Sequence, residues 1–231
     1  MPTVLITGAN RGLGLEFCRQ YAQAGWVVLA ACRDPSGAAA LQALAASHRD
    51  LSIHCLDVAD FDRVDRLALE LKDQSIDVLL SNAGVYGDDE HHRFGALDYG
   101  RWVDTLRVNT LAPVKLAEAF LPHLERGRRK LIVAITSLMG SLADNRGGGS
   151  ILYRSSKAGL NAAMKSLSID LRPRGIGVLL LHPGWVRTDM GGAEAPIAPA
   201  ESIAGMIRVI DGLRPEDSGR FLNFRGEELP W

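Results

Sequence analysis

The sequence predicts a doubly wound α/β fold, a parallel sheet covered by helices on both faces. Three observations lead there. Short β-branched runs alternate with longer helical patterns along the whole chain. Most of those runs are apolar at consecutive positions rather than at every second one, which is the pattern of parallel strands buried on both sides. The first run leads through closely spaced glycines directly into a helical pattern. Alternation repeated this often implies right-handed strand–helix–strand crossovers. A length of 231 residues suits one domain spanning 1–231, and an apolar fraction of 47% supplies a core.

The elements follow in order. The first strand, Thr3–Thr7, runs into Gly8, Gly12 and Gly14, and the helix Leu13–Ala24 begins inside that turn. A strand ending at Gly8 and a helix starting near Gly12–Gly14 aim backbone N–H groups at one spot, where the helix dipole adds positive charge. That is a site for a phosphate or pyrophosphate. Glycine permits positive φ and lets an anion approach the backbone. A tight turn without a ligand is the other reading of the glycines alone, and the phosphate site is the favoured one. The second strand, Trp26–Ala31, reaches Cys32, Arg33 and Asp34, and the helix Ala38–Ser47 leads to the third strand, Leu51–Leu56. Asp57-Val58 follows, where a carboxylate suits an adenine amine or a helix N-cap. The helix Phe61–Lys72 and the fourth strand, Val78–Ser81, lead to Asn82-Ala83-Gly84.

A long helix is expected over Tyr99–Leu124. Within it, Pro113 removes its own backbone bond and crowds the carbonyl at i−4, that of Asn109, which is therefore expected to be free. The fifth strand, Leu131–Ile135, ends near Ser137. The helix Tyr153–Leu171 places Tyr153 and Lys157 at i and i+4 on one face. The sixth strand, Gly177–Leu181, leads into Pro183-Gly184-Trp185-Val186-Arg187-Thr188. The helix Ala200–Gly212 precedes a weak seventh strand, Arg220–Asn223. The longest loops, Leu138–Ser150 and Pro183–Pro199, are candidates for function, and Arg146–Ser150 is expected to be flexible.

Composition closes off other classes. A net charge of −1 offers no field for nucleic acid, and Arg126–Lys130 reads as a solvated turn. The 3 cysteines lack any C-x-x-C spacing, so neither a disulfide framework nor a zinc site is expected. His91-His92 has no partners at ligand spacing, and no metal is expected. No secretory leader pattern and no apolar run near the ~20 residues of a membrane span is present, so a cytoplasmic protein without membrane partners is expected.

Taken together, Thr7-Gly8-Ala9-Asn10-Arg11-Gly12-Leu13-Gly14, Asp57, Asn82-Ala83-Gly84, Asn109, Ser137, Tyr153-x-x-x-Lys157 and Pro183–Thr188 resemble the classical short-chain dehydrogenase/reductase family over essentially the whole chain. The wording TGANRGLGLE and PGWVRTDM is most similar to its C-factor/sniffer-type carbonyl reductase branch. The resemblance implies a Rossmann sheet of seven parallel strands in the order 3-2-1-4-5-6-7, one dinucleotide-binding catalytic domain, and a nicotinamide cofactor along the carboxyl edge of the sheet. It implies cofactor contacts at Gly8, Asn10, Arg11, Gly12, Leu13, Gly14, Arg33, Asp57, Val58, Asn82, Ala83, Gly84, Tyr153, Lys157, Pro183, Gly184, Val186 and Thr188. Val186 is expected to use its backbone. Trp185 either lines the pocket or packs, and Arg187 is read as a surface residue.

NADPH is favoured over NADH. Cys32 stands where the family's NAD-preferring members resemble one another in carrying an acid, and Arg33 and Arg11 are placed to clamp a 2′-phosphate. Asp34 leaves a route to a free ribose hydroxyl. The resemblance implies Tyr153 as general acid/base, Lys157 as the cation that acidifies it, Ser137 as the group orienting the carbonyl oxygen, and Asn109 as the support for a water. The expected activity is hydride transfer between nicotinamide and a small or medium carbonyl or alcohol. The other reading is a catalytically quiet NADP(H)-binding sensor or signalling protein. A homodimer or homotetramer through the helices matching Tyr99–Leu124 and Tyr153–Leu171 is also implied.

Overall fold

The computed structural model describes residues 1–231 and arranges seven strands in one parallel sheet. They are β1 Thr3–Thr7, β2 Val27–Cys32, β3 Leu51–Cys55, β4 Val78–Ser81, β5 Leu131–Ile135, β6 Gly177–His182 and β7 Phe221–Asn223. Their order is β3-β2-β1-β4-β5-β6-β7, as the resemblance implies. The weak seventh strand is real: β7 pairs with β6 through Leu180–Phe221, Leu181–Leu222 and His182–Asn223. β1 lies between β2 and β4, so the direction of winding reverses there and a crevice opens at the carboxyl ends of the strands.

The continuous apolar character of the strands has a direct cause, because successive side chains serve two cores. Leu5, Leu29, Leu79, Ile132 and Leu180 belong to one, and Val4, Ile6, Val28, Leu80 and Val133 to the other. The first core packs against α3 (Phe61–Glu70), α5 (Ala112–Ala119) and α7 (Ile151–Asp170) through Val64, Leu67, Leu116, Leu160 and Met164. The second packs against α1 (Gly12–Gln23), α2 (Ala39–Ser47) and α8 (Pro199–Asp211) through Phe17, Tyr21, Leu41, Ile203 and Met206. At roughly 1.5–3 kcal/mol for each fully buried large apolar side chain, these two layers hold the sheet.

One element differs from expectation. The segment Tyr99–Leu124 is not one helix but α4 (Tyr99–Leu106), a π turn (Arg107–Leu111), α5, and α6 (Leu121–Arg126). Pro113 has no N–H to offer the carbonyl of Asn109. The bond register slips, and the N–H of Ala112 reaches back to the carbonyl of Arg107. Phe120 then leaves helical geometry at ψ 8°, and Pro122 sits in the first turn of α6.

The basic cluster is an exposed turn at Arg126 and Arg128, and two of its arginines also brace their surroundings. Arg126 donates to the carbonyls of Lys72 and Gln74, and Arg129 pairs with Asp211 at 2.6 Å and lies over the Trp26 ring. The buried carboxylate of Asp77 accepts from the N–H groups of Thr3, Arg128 and Arg129, which ties β1 to the start of β5. No helix is long and apolar enough to cross a membrane.

Candidate active site

The glycine turn forms because α1 and β1 meet too closely for any side chain. A Cβ on Gly14 would lie 2.1 Å from the Gly8 carbonyl oxygen and 2.7 Å from Asn82 Nδ2, and Gly8 itself has φ +66°. The Asn82 amide fixes the turn by donating to the Thr7 carbonyl at 2.9 Å and the Gly8 carbonyl at 3.3 Å. The Thr7 hydroxyl accepts from the N–H groups of Asn82 and Ala83, both at 3.1 Å. The N–H groups of residues 10–14 find no acceptor in the protein, and no side chain caps α1. A row of unpaired donors at a helix N-terminus is what a pyrophosphate requires.

The turn opens onto a cleft of about 250 Å³ along the carboxyl edge of the sheet. Of the residues expected at the cofactor, Gly8, Asn10, Arg11, Gly12, Leu13, Arg33, Asp57, Val58, Asn82, Ala83, Gly84, Tyr153, Lys157, Pro183 and Thr188 line it. Gly14, Gly184 and Val186 do not. Gly14 buttresses the turn, Gly184 makes a bend at φ +83°, and the Val186 side chain is buried. The Val186 N–H nevertheless has no acceptor in the protein, which leaves a backbone donor beside Thr188. Asp57 uses one oxygen to hold the N–H of Ala59, and Asp60, not Asp57, caps α3 through the N–H of Arg63. Arg187 is exposed at the surface, as expected, and also donates to the carbonyls of Ala195 and Pro196, which braces the loop. Trp185 is 57% exposed and anchored by its indole N–H to the Gly191 carbonyl.

Charge at one end of the cleft is divided. Asp34 turns away from it and accepts from the Ser36 hydroxyl and the Gly37 N–H, which holds its carboxyl below the usual carboxylate range. Arg33, exposed and lining the cleft, makes no ion pair or hydrogen bond through its guanidinium. Arg11 differs from the expected free cation. It reaches 2.7 Å across to Asp189. Both side chains are largely exposed, so the pair is weak and an incoming phosphate can replace it.

The other end carries the reactive groups. Lys157 is buried on α7, its Nζ donates to the Ile135 carbonyl at 2.9 Å, and it lies 5.8 Å from the centre of the Tyr153 ring. Loss of solvent pushes its ammonium down to about 8. Burial pushes the Tyr153 phenol up to about 12, against an opposing pull from the Ser137 hydroxyl. In the protein alone the phenol therefore keeps its proton at neutral pH. Asn109 is fully buried in the π turn. Its amide exchanges two hydrogen bonds with the backbone of Val85, at 2.9 and 2.8 Å, and donates to the Ser156 hydroxyl, which in turn donates to the Tyr153 carbonyl. Asn109 thus joins the loop after β4 to the helix that carries Tyr153 and Lys157.

Sequence reasoning missed two residues here. Asp88 accepts from the N–H groups of Leu152 and Tyr153, at 3.2 and 2.8 Å, and caps α7 from a distant loop. Tyr86 packs against Tyr153 with the rings tilted by 37° and their centres 4.9 Å apart, and its hydroxyl meets that of Ser150 at 2.7 Å. Ser150 precedes α7 in a left-handed conformation and makes no cap of its own. No local motif signals a cap contributed by a residue far away in sequence. Asp88→Ala is expected to cost about 1 kcal/mol of stability and to lower turnover several-fold, with Asp88→Asn restoring part of both; thermal unfolding and steady-state rates check this.

A family model described as short chain dehydrogenase matches residues 2–196. The C-signal protein of Myxococcus xanthus is 49% identical over 156 residues, 68% of this chain and 93% of that protein. Among solved structures, the carbonyl reductase Sniffer of D. melanogaster superposes with a TM-score of 0.93 at 37% identity, covering 100% of both chains. The NADPH-bound carbonyl reductase from chicken fatty liver superposes with a TM-score of 0.93 at 35% identity, covering 100% of this chain and 99% of the other.

Proposed function

The chain belongs to the short-chain dehydrogenase/reductase family of NAD(P)-dependent oxidoreductases, and on that premise we propose that it is an NADPH-dependent reductase of small or medium carbonyl compounds. The observation that carries this reading is the arrangement along one cleft. Unpaired N–H groups and the unpartnered Arg33 lie toward one end, and Tyr153, Lys157 and the adjoining Ser137 toward the other.

When bound, the nicotinamide supplies the hydride. The N–H groups of residues 10–14 hold the pyrophosphate, Arg33 meets the 2′-phosphate, and Arg11 joins it on leaving Asp189. The Val186 N–H and the Thr188 hydroxyl serve the carboxamide. Ser137 donates a hydrogen bond to the substrate carbonyl oxygen and orients it. Tyr153 gives that oxygen its proton as negative charge develops there. The Lys157 ammonium stabilises the phenolate left behind. Asn109 serves the return of the proton, its carbonyl being denied the usual helical donor by Pro113. NADPH binding to a chain that turns over no carbonyl would favour the sensor reading instead. Oxidation of NADPH and NADH by the purified protein against a panel of aldehydes, ketones and quinones tests the proposal, and turnover with NADPH is the expected result.

The Lys157 ammonium is present below pH 8 and lost above it, so kcat/KM for carbonyl reduction should fall as pH rises through about 8. A flat profile from pH 7 to 9.5 would remove the ammonium from the mechanism. We further infer a homodimer or homotetramer through the segment Tyr99–Leu124 and α7. Tyr99, Val103, Leu111 and Ile169 leave apolar surface exposed there, whereas Ala117, Phe120 and Leu160 are committed to the sheet.

A further inference from the structure

β2 and β3 each end in a cysteine, and the two, Cys32 and Cys55, are direct register partners in the parallel ladder. Partners in such a ladder project their side chains to the same face. The packing agrees, because Val28, Ala30 and Leu51 share one core and Ile53 packs against it. Strand spacing puts the two Cα atoms about 4.8 Å apart, inside the range of roughly 4.4–6.8 Å that a disulfide spans. The Cys55 thiol is exposed and donates to the carbonyl of Arg33 at 3.3 Å, so it is turned toward the residue that follows Cys32. Cys32 lines the cofactor cleft, and both thiols are free. Cys18, the third, is buried in α1 and held protonated by its burial.

We propose that Cys32 and Cys55 form a thiol–disulfide exchange site beside the adenosine end of the cleft, with low-molecular-weight disulfides of the glutathione type as its reactant. The exposed Cys55 thiolate attacks one sulfur of glutathione disulfide, forming a mixed disulfide and releasing one glutathione thiolate. Cys32 then attacks the Cys55 sulfur, which forms the Cys32–Cys55 bond and releases the second glutathione. The two protein thiol protons end on the two glutathiones. The protein sulfurs are oxidised by two electrons and glutathione disulfide is reduced by two. Burial raises the Cys32 thiol, and the Cys55 charge raises it further. Capping Cys55 with glutathione removes that charge, the smaller of the two effects, before the second step.

The bond holds the Cβ atoms at about 3.8 Å, so the two side chains must draw together and pull on the ends of β2 and β3. The residues that follow, Arg33 on one strand and Leu56, Asp57 and Val58 on the other, line the cleft. Oxidation should therefore weaken NADPH binding by about tenfold, and saturating NADPH should shift the oxidation equilibrium toward the dithiol by the same factor. This coupling rests on the cofactor reading above, whereas formation of the bond does not.

The test is to equilibrate the full chain in glutathione redox buffers, map its disulfides by mass spectrometry, and titrate NADPH by fluorescence before and after. The expected result is a peptide link between Cys32 and Cys55 whose formation needs a glutathione buffer about tenfold more oxidising when NADPH is saturating, and a Kd about tenfold higher in the oxidised chain. Cys55→Ser should form no link and keep the reduced Kd. Glutathione adducts that never resolve into the link, or a link between Cys18 and Cys32, would overturn the site. A Cys32–Cys55 link that leaves Kd unchanged would overturn the coupling. Failure of the reduced chain to bind NADPH would instead refute the cofactor reading.

Discussion

Tyr153→Phe should lower turnover with NADPH by about 10³-fold, the scale of a lost general acid, while the Kd for NADPH stays within about twofold. The substitution removes one oxygen and keeps the ring, so the tilted ring contact with Tyr86 at 4.9 Å persists and α7 retains its caps from Asp88. Lys157 stays bonded to the Ile135 carbonyl. What disappears is the phenol proton beside Ser137 that the proposed mechanism gives to the developing alkoxide. Steady-state kinetics and a fluorescence titration on the same preparation separate the two quantities. Turnover within tenfold of the parent would show that the proton comes from another group.

Arg33→Ala should weaken NADPH by about thirtyfold, or about 2 kcal/mol, the worth of a hydrogen bond to a charged group, with NADH changed by less than about twofold. The selectivity follows from what the guanidinium lacks. With no partner of its own in the protein, Arg33 gives up nothing to bind a phosphate, and its removal exposes no buried charge. Arg11 has Asp189 to leave first, so its contribution is smaller. Equal losses for both cofactors in parallel titrations would remove Arg33 from the 2′-phosphate site.

Most of the sheet was legible because parallel strands buried on both faces need unbroken apolar runs, and β1, β4, β5 and β6 have them. The glycine turn was legible because Gly14 is a steric necessity against the Gly8 carbonyl. The π turn was half legible. Pro113 announced a disturbed carbonyl at Asn109, but helical periodicity ran on through Leu124 and concealed the breaks at Arg107 and Phe120. The clasp of Asp88 and Tyr86 on α7, the Arg11–Asp189 pair and the bracing role of Arg187 were not legible. Each joins loops far apart in sequence, and no local period or cap motif encodes such a contact.

The slipped turn at Arg107–Leu111 also has the character of a single extra residue stored in a helix. Each residue of an α-helix advances the chain by about 100°. Deleting one residue from this turn would restore an unbroken helical path in length. It would also rotate everything on one side of the deletion by that angle, swinging Asn109 off the backbone of Val85 or α5 off its seat on the core. The segment is therefore intolerant of changes in length even where it tolerates changes in side chain. Among related sequences, the number of residues between Asp98, which caps α4, and Pro113 should vary less than their identity.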